Sequence, residues 1–185
     1  MRVLLILTAI SFLSMSPAYA NMRVVSKDLV AGKSMAMDQV FDKFGCQGKN
    51  ISPELAWSGA PQGTKSFAIM AYDPDAPTGS GWWHWVVFNI PASTTKILTD
   101  ASRNGGLPPG SIQGRTDFGT TTYGGACPPL GHGVHHYQFI VYALSVARLT
   151  FGDTLLDSNT PAAMIGFVVH ANALDSASIE ATYKR

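Results

Sequence analysis

The sequence predicts a mainly β domain with long irregular loops and one short helix near the C-terminus. Two observations lead to this prediction. Several short apolar segments are rich in branched and aromatic residues and are bounded by Pro, Gly or Asp clusters, as is typical of buried strands. Two long segments between them, 73–84 and 116–135, carry several Gly and Pro residues, and long loops in a compact domain commonly carry binding sites.

Four strands follow from these patterns. Three continuous apolar runs read SFAIMAY, WVVFNI and YQFIVYAL, and each is short enough for a buried strand. A fourth segment, SIEATY, alternates apolar and polar residues, which favours a strand with one exposed face. The predicted strands lie at 66–72, 85–90, 137–144 and 178–183.

The helix is predicted to begin after Thr160, whose side chain can cap it, with Pro161 at the first helical position. Apolar and polar residues then continue at helical spacing: Ile165, Val168, Val169 and Asn172. His170 falls within this helix, and we interpret it as a packed or capping histidine rather than a ligand.

The first twenty residues read as a signal peptide. Met1 and Arg2 provide a positive start, an apolar run covers 3–15, and Pro17-Ala18-Tyr19-Ala20 forms a small-x-small cleavage pattern. We expect cleavage after Ala20, leaving a single exported domain at 21–185, either periplasmic or secreted. No later apolar run is long enough to cross a bilayer, so no integral membrane segment is expected.

The charge balance excludes a nucleic-acid partner. The 13 basic and 12 acidic residues of the whole chain become 12 and 12 once Arg2 is removed, and no three basic residues are adjacent. Nucleic-acid binding requires a clustered positive surface.

The two cysteines, Cys46 and Cys127, both lie in the predicted mature chain. In an exported protein a pair of cysteines indicates a disulfide. In the chain-entropy model, a disulfide that closes a loop of this length stabilises the folded protein by about 4 kcal/mol. The alternative is two separately buried thiols.

Three kinds of site are compatible with the polar residues. Zinc is weakly indicated, because His135 and His136 would face opposite sides of a strand and His132 follows a flexible loop. A hydrolase is also weakly indicated, since the chain has no G-x-S-x-G motif and only two Glu residues, while Asp73 and Asp75 have the spacing of a turn.

The third kind of site is an anion pocket. Imidazoles donate hydrogen bonds to phosphate or sulfate, and tyrosine hydroxyls add neutral donors. The Gly- and Pro-rich segment GGACPPLGHG can bring backbone N–H groups close to an anion. Three tryptophans, Trp82, Trp83 and Trp85, would line the cavity, anchor its loop, or pack in the core.

Four motifs, in this order, resemble those of one known family. They are GCQGKNISPELAWSGAP at 45–61, YDPDAPTGSGWWHWVVFNIP at 72–91, QGRTDFG at 113–119 and YGGACPPLGHGVHHYQFIVYAL at 123–144. The chain resembles the phosphatidylethanolamine-binding proteins, also called the Raf kinase inhibitor protein family, and in particular their bacterial YbhB/YbcL-type branch. The similarity extends over essentially all of the predicted mature chain.

This resemblance implies a β-sandwich with a small surface cavity that binds anions such as phosphate, acetate or a phospholipid head group. It implies no cofactor, no metal and no catalytic residue. Asp73 is expected either to accept a hydrogen bond from an imidazole or to meet an ammonium group of the ligand. The residues implied to form the cavity are Asp73, Pro77, His84, Cys127, Pro128, His135 and Tyr137.

The resemblance gives no role to His132, and His136 stands where many relatives carry arginine. A bond from Cys127 to Cys46 would tie the GCQG loop to the pocket wall. Two other functions remain open besides anion binding without turnover. One is a protein-interaction or inhibitory module that acts on a kinase, a protease or a host signalling partner. The other is an enzyme that acts on a phosphorylated or acyl substrate.

Overall fold

The computed structural model describes residues 21–185, so the predicted signal peptide at 1–20 lies outside the described residues. The described chain contains ten strands and one helix. In chain order these are β1 Arg23–Val25, β2 Leu55–Ser58, β3 Ser66–Asp73, β4 Trp82–Pro91, β5 Lys96–Ile97, β6 Ile112–Gln113, β7 His135–Leu144, β8 Thr150–Phe151, β9 Thr154–Leu155, α1 Ala162–Asn172 and β10 Ala173–Tyr183.

The strands form a sandwich of two antiparallel sheets. The larger sheet has the order β10-β7-β3-β4-β6, the smaller one has the order β1-β2-β5, and β8 pairs with β9 as a separate ribbon. One face of the larger sheet packs against the smaller sheet, with Ile69 and Phe67 meeting Leu55 and Trp57 in a buried core. The prediction of a mainly β sandwich is confirmed.

The opposite face of the larger sheet packs against α1. Met70 of β3 and Ile165 and Val169 of α1 belong to this second buried core. Gly166 lets the helix approach closely, because a Cβ at this position would lie 3.3 Å from the Met70 methyl carbon. Strands β3 and β4 and the last four residues of β7 are therefore buried on both faces over most of their length, which explains their apolar sequences.

The predicted strands are longer in the structure than in the sequence analysis. The first is correct to within one residue, but β4 begins at Trp82, β7 at His135 and β10 at Ala173. His84 is therefore the third residue of β4 and does not start the strand. The remaining strands, of two to four residues each, had no recognisable pattern.

The predicted cap of α1 is wrong. The helix begins at Ala162, Pro161 stands at the N-cap position, and no side chain caps it. Thr160 instead pairs with Asp157, whose carboxylate accepts hydrogen bonds from the Thr160 hydroxyl at 3.1 Å and from its backbone N–H at 3.0 Å. The exposed His170 lies in the last turn, with its ring edge-on to Tyr142 at 5.2 Å.

Between residues 21 and 185, no helix is both long enough and apolar enough to span a bilayer.

Candidate functional site

A cavity of about 220 Å³ lies at one end of the three central strands of the larger sheet. Strand β3 ends there at Asp73, and the antiparallel strands β4 and β7 begin there. The lining residues are Phe44, Asp73, Ala76, Pro77, Thr78, Trp82, His84, Phe118, Cys127, Pro128, Pro129, His135 and Tyr137. All seven residues that the sequence analysis assigned to the cavity are among them.

The strands that carry the two key histidines are not neighbours. β3 lies between β4, which carries His84, and β7, which carries His135 and Tyr137. Asp73, at the end of β3, therefore comes between the two imidazoles. His135 and Tyr137 face the same side of the sheet, because residues two apart on a strand share a face.

A β-bulge in β4 directs His84 into the cavity. Ala71 pairs with Trp85 and Tyr72 pairs with Trp83, so His84 is one extra residue with no partner on β3. In a regular strand Trp83 and Trp85 would share a face, yet Trp83 packs on the α1 side and Trp85 packs between the sheets. The bulge thus allows His84 and Trp85 to face the same side, and bulges next to sites commonly re-aim a side chain in this way.

Each of the three tryptophans has a different role. Trp82 lines the cavity, with its ring perpendicular to that of Phe118 at 5.5 Å. Trp83 packs on Tyr72 at 4.3 Å on the other face of the sheet. The buried Trp85 donates from its indole nitrogen to Gln113 Oε1 at 2.7 Å.

A chain of polar contacts links Asp73, His135 and His132. His135 Nδ1 lies 2.7 Å from Asp73 Oδ2, and both side chains are almost completely buried. His135 Nε2 lies 2.8 Å from Nδ1 of the exposed His132. Both nitrogens of the His135 ring are therefore engaged by protein groups. Asp73 also accepts the Asp75 backbone N–H at 2.9 Å, which braces the start of the loop.

The Tyr137 hydroxyl is buried at the cavity and has no hydrogen-bond partner within residues 21–185. Burial raises its pKa, and the nearby Asp73 carboxylate adds to this effect through its negative charge and as an acceptor lying beyond ordinary hydrogen-bond geometry, so the hydroxyl remains protonated. A buried hydroxyl without a partner costs about 1–3 kcal/mol. It is therefore a donor available to a molecule in the cavity.

His84 is held by the backbone opposite Tyr137. Its Nδ1 lies 2.7 Å from the Gly124 carbonyl oxygen, and its ring is 5.1 Å from that of Tyr137. Burial lowers the pKa of His84, and the Gly124 carbonyl opposes this effect only partly. In the neutral ring Nδ1 donates to Gly124, and Nε2 is left as the other polar atom of the ring. A Cβ at Gly124 would overlap the ring of Phe118, so this approach requires glycine.

The remaining wall is closed by the disulfide between Cys46 and Cys127, which the structure contains with the two Cα atoms 6.0 Å apart. Arg185 crosses the same wall. Its guanidinium donates to the carbonyl oxygens of Pro128 at 3.1 Å and Phe44 at 3.2 Å. The wall thus combines a covalent bond with two hydrogen bonds from a cation.

Sequence reasoning missed four features of the site. It gave no role to Phe44, Phe118 or Arg185, and it left His132 without a contact. Phe118 packs on Phe41, Phe44, Trp82 and His84, and only its position beside the QGRTD segment could have suggested a role. Within the described chain, no group of three or more His, Cys, Asp or Glu residues is placed to hold a metal ion.

Comparison with known proteins now identifies the class of protein. The family model described as phosphatidylethanolamine-binding protein matches residues 27–184. The chain belongs to this family.

Two proteins of Escherichia coli are similar to the chain. YbcL is 47% identical over 186 aligned residues, covering 100% of this chain and 99% of YbcL, and YbhB is 48% identical over 164 residues, covering 88% and 99%. The crystal structure of Escherichia coli YbcL, described as a member of the mammalian PEBP family, has a TM-score of 0.84 at 49% identity and covers 90% of this chain and 99% of that structure. The predicted resemblance to the YbhB/YbcL-type branch is confirmed.

Proposed function

We propose that this chain is an exported protein whose cavity binds a small anionic group, such as phosphate or a phospholipid head group, without chemical turnover. The unpaired, buried hydroxyl of Tyr137 is the main observation in favour of a ligand. Buried polar groups in folded proteins almost always have a partner, so an orphaned donor beside a cavity points to a bound molecule.

Two further groups fit an anion. His84 Nε2 becomes a donor when the ring is protonated, and an anion in contact with it would favour that protonated form. Arg185 adds a positive charge at the wall through its bonds to Pro128 and Phe44.

The Asp73 carboxylate would repel an anion at close range, but it is engaged by His135 at 2.7 Å. It also suits a zwitterionic ligand, because an ammonium group could approach the carboxylate while the phosphate meets Tyr137. The family is named for phosphatidylethanolamine, whose head group carries both charges.

Binding without turnover follows from the nucleophiles in the lining. Cys127 is held in the disulfide, and the Thr78 hydroxyl donates to the Gly81 carbonyl. The pKa of Tyr137 is raised, so its phenolate is not accessible near neutral pH. An activated nucleophile needs a nearby base or a lowered pKa. The disulfide removes the Cys127 thiol, the Thr78 hydroxyl is engaged by a carbonyl, and the pKa of Tyr137 is raised rather than lowered.

Export is proposed from two features. Residues 1–20 have the pattern of a signal peptide. The disulfide would persist in an oxidising compartment such as the periplasm, whereas thiols are kept reduced in the cytosol.

The decisive experiment replaces Tyr137 with Phe, which removes only the hydroxyl. We expect phosphate and phosphoethanolamine to shift the imidazole NMR signals of His84 in the wild type. The Tyr137→Phe variant should bind about tenfold more weakly, while its free energy of unfolding stays equal or rises, because the lost hydroxyl had no partner.

Tyr142→Phe is the matched control, since Tyr142 lies on the opposite face of β7. Ethanolamine and inorganic phosphate, titrated separately, distinguish a head group from a simple anion. Equal affinity in Tyr137→Phe and wild type would rule out this anion site, and hydrolysis of a phosphate or acyl ester by the wild type would rule out binding without turnover.

A further inference from the structure

A second cavity, of about 330 Å³, shares Phe44 and Phe118 with the first but is otherwise lined by different residues. We call these two rings, stacked 5.9 Å apart, the aromatic partition. The first cavity is lined by two histidines and a tyrosine that belong to strands of the larger sheet. The polar side chains of the second cavity come from loops: Asp42, Lys43, Asn50, Arg103, Thr120 and Thr122.

Asn50 is the key residue of this second cavity. It is 8% exposed and has a left-handed backbone conformation with φ of 55°. Its Oδ1 accepts the Gly125 N–H at 2.7 Å, which fixes the orientation of the carboxamide. The two N–H groups on Nδ2 make no hydrogen bond to any residue of the described chain. Nδ2 is open to the cavity, so this amide donor is available to a ligand that carries an acceptor.

The charged side chains favour an anion over a neutral molecule. Arg103 is occupied, because Asp100 lies 2.9 Å from its guanidinium and the Lys49 carbonyl accepts a further bond at 3.2 Å. Lys43 forms no ion pair with any residue in the range 21–185. Asp42 is the one opposing carboxylate of the lining.

We propose that this second cavity binds a small anion, a phosphate, sulfate or carboxylate group, through the Asn50 Nδ2 donors and the Lys43 ammonium group. The Thr120 and Thr122 hydroxyls supply further neutral donors. The aromatic partition separates this anion from the ligand of the first cavity. The proposal does not rest on the function assigned to the first cavity.

The test follows the Asn50 side-chain amide signals by NMR during titration with sodium phosphate and with sodium acetate at constant ionic strength. We expect a saturable shift in the wild type. Lys43→Gln should weaken binding about threefold, and Asp42→Asn should strengthen it, because the first removes an attractive charge and the second a repulsive one. Lys65→Gln, next to the opposite end of β3, is the control and should leave the titration unchanged.

Asn50→Asp gives the sharpest variant. It keeps an oxygen for the Gly125 N–H and tolerates a positive φ, but it replaces the amide donors with a charged acceptor. Anion binding at this site, followed in wild type and variant by the Gly125 backbone amide signal, should be lost while the response of His84 in the first cavity persists. Should Asn50→Asp fail to fold, the opposite effects of Lys43→Gln and Asp42→Asn decide the question alone.

Three results would overturn the proposal. The first is a shift at His84 with no saturable shift at Asn50, which would limit anion binding to the first cavity. The second is an Asn50 titration that neither charge substitution changes. The third is saturable binding of neutral glucose at Asn50 with no response to phosphate or acetate.

Discussion

Two histidine–aspartate pairs lie side by side at the start of β7, and they differ almost only in burial. Asp73 pairs with His135 and Asp75 pairs with His136, each with a nitrogen–oxygen distance of 2.7 Å. In the first pair the histidine and aspartate side chains are 1% and 4% exposed, and in the second they are 46% and 39% exposed. The difference arises because neighbouring residues of a strand face opposite sides of the sheet.

The two pairs have the same nitrogen–oxygen distance but contribute differently to the stability of the fold. The exposed pair is screened by water and salt, and such pairs contribute little to stability. The buried pair cannot lose one member without leaving a polar group unsolvated. The first pair lies in the wall of the cavity. The second pair holds the loop that follows β3 against the first residues of β7. The His136 backbone N–H adds to this second contact, because it donates to Asp75 Oδ2 at 2.8 Å.

The largest effect is expected from breaking the buried pair. Asp73→Ala leaves the His135 Nδ1–H without an acceptor, and we expect the free energy of unfolding to fall by about 3 kcal/mol. Urea denaturation followed by tryptophan fluorescence would measure it. Asp75→Ala is the matched control and should change stability far less. Comparable losses in the two variants would show that burial does not separate the pairs.

A smaller effect is expected from His132, the exposed end of the chain of polar contacts that begins at Asp73. His132→Ala removes the contact to His135 Nε2 at 2.8 Å but leaves the bond to Asp73 in place. Stability should fall by about 1 kcal/mol, the usual contribution of one hydrogen bond. Nitrogen-15 NMR of the His135 ring should show Nε2 exposed to water. Val134→Ala, on the same loop, should leave the His135 ring spectrum unchanged, and an unchanged spectrum in His132→Ala would refute the contact.

The smallest effect is the pH dependence that the exposed pair contributes to stability. The hydrogen bond to Asp75 raises the pKa of His136 above its usual 6.5, and the same bond lowers the pKa of Asp75 below 3.8. The stabilisation is therefore complete between these two reference values. It is lost as pH falls through the lowered pKa of Asp75, and also as pH rises through the raised pKa of His136.

Asp75→Asn isolates this charge effect, because the amide oxygen can still accept the His136 backbone N–H. The stability difference between wild type and Asp75→Asn should be greatest near pH 5 and should shrink in high salt. Thermal unfolding at several pH values would detect it. A difference that grows above pH 8 would contradict the sign of the His136 pKa shift.

The sequence predicted those parts of the molecule whose signal is local. Strands β3 and β4 and the last four residues of β7 are mostly buried on both faces, so their sequences are apolar, and the adjacent positions of His135 and His136 placed them on opposite faces. Strands such as β5 and β6 have two residues each, and their partners rather than their own residues define them.

The same limit applies to the site. No local sequence pattern predicts the extra residue at His84, because a bulge depends on how β4 pairs with β3. The contact between His132 and His135, and the bonds from Arg185 to Phe44 and Pro128, join segments through tertiary folding. These contacts depend on loop paths that a single sequence does not encode locally.

His84 is an extra residue in β4, so its imidazole does not take the place of any residue that pairs with β3. Trp82 pairs with Asp73 and Trp85 pairs with Ala71 on β3. Removing residue 84 would keep both pairs, so both tryptophans would still face the same sides of the sheet. The packing between the sheets and the chemistry at the cavity floor can therefore vary independently. A substitution at position 84 would therefore change the chemistry of the cavity without removing any pairing between β3 and β4.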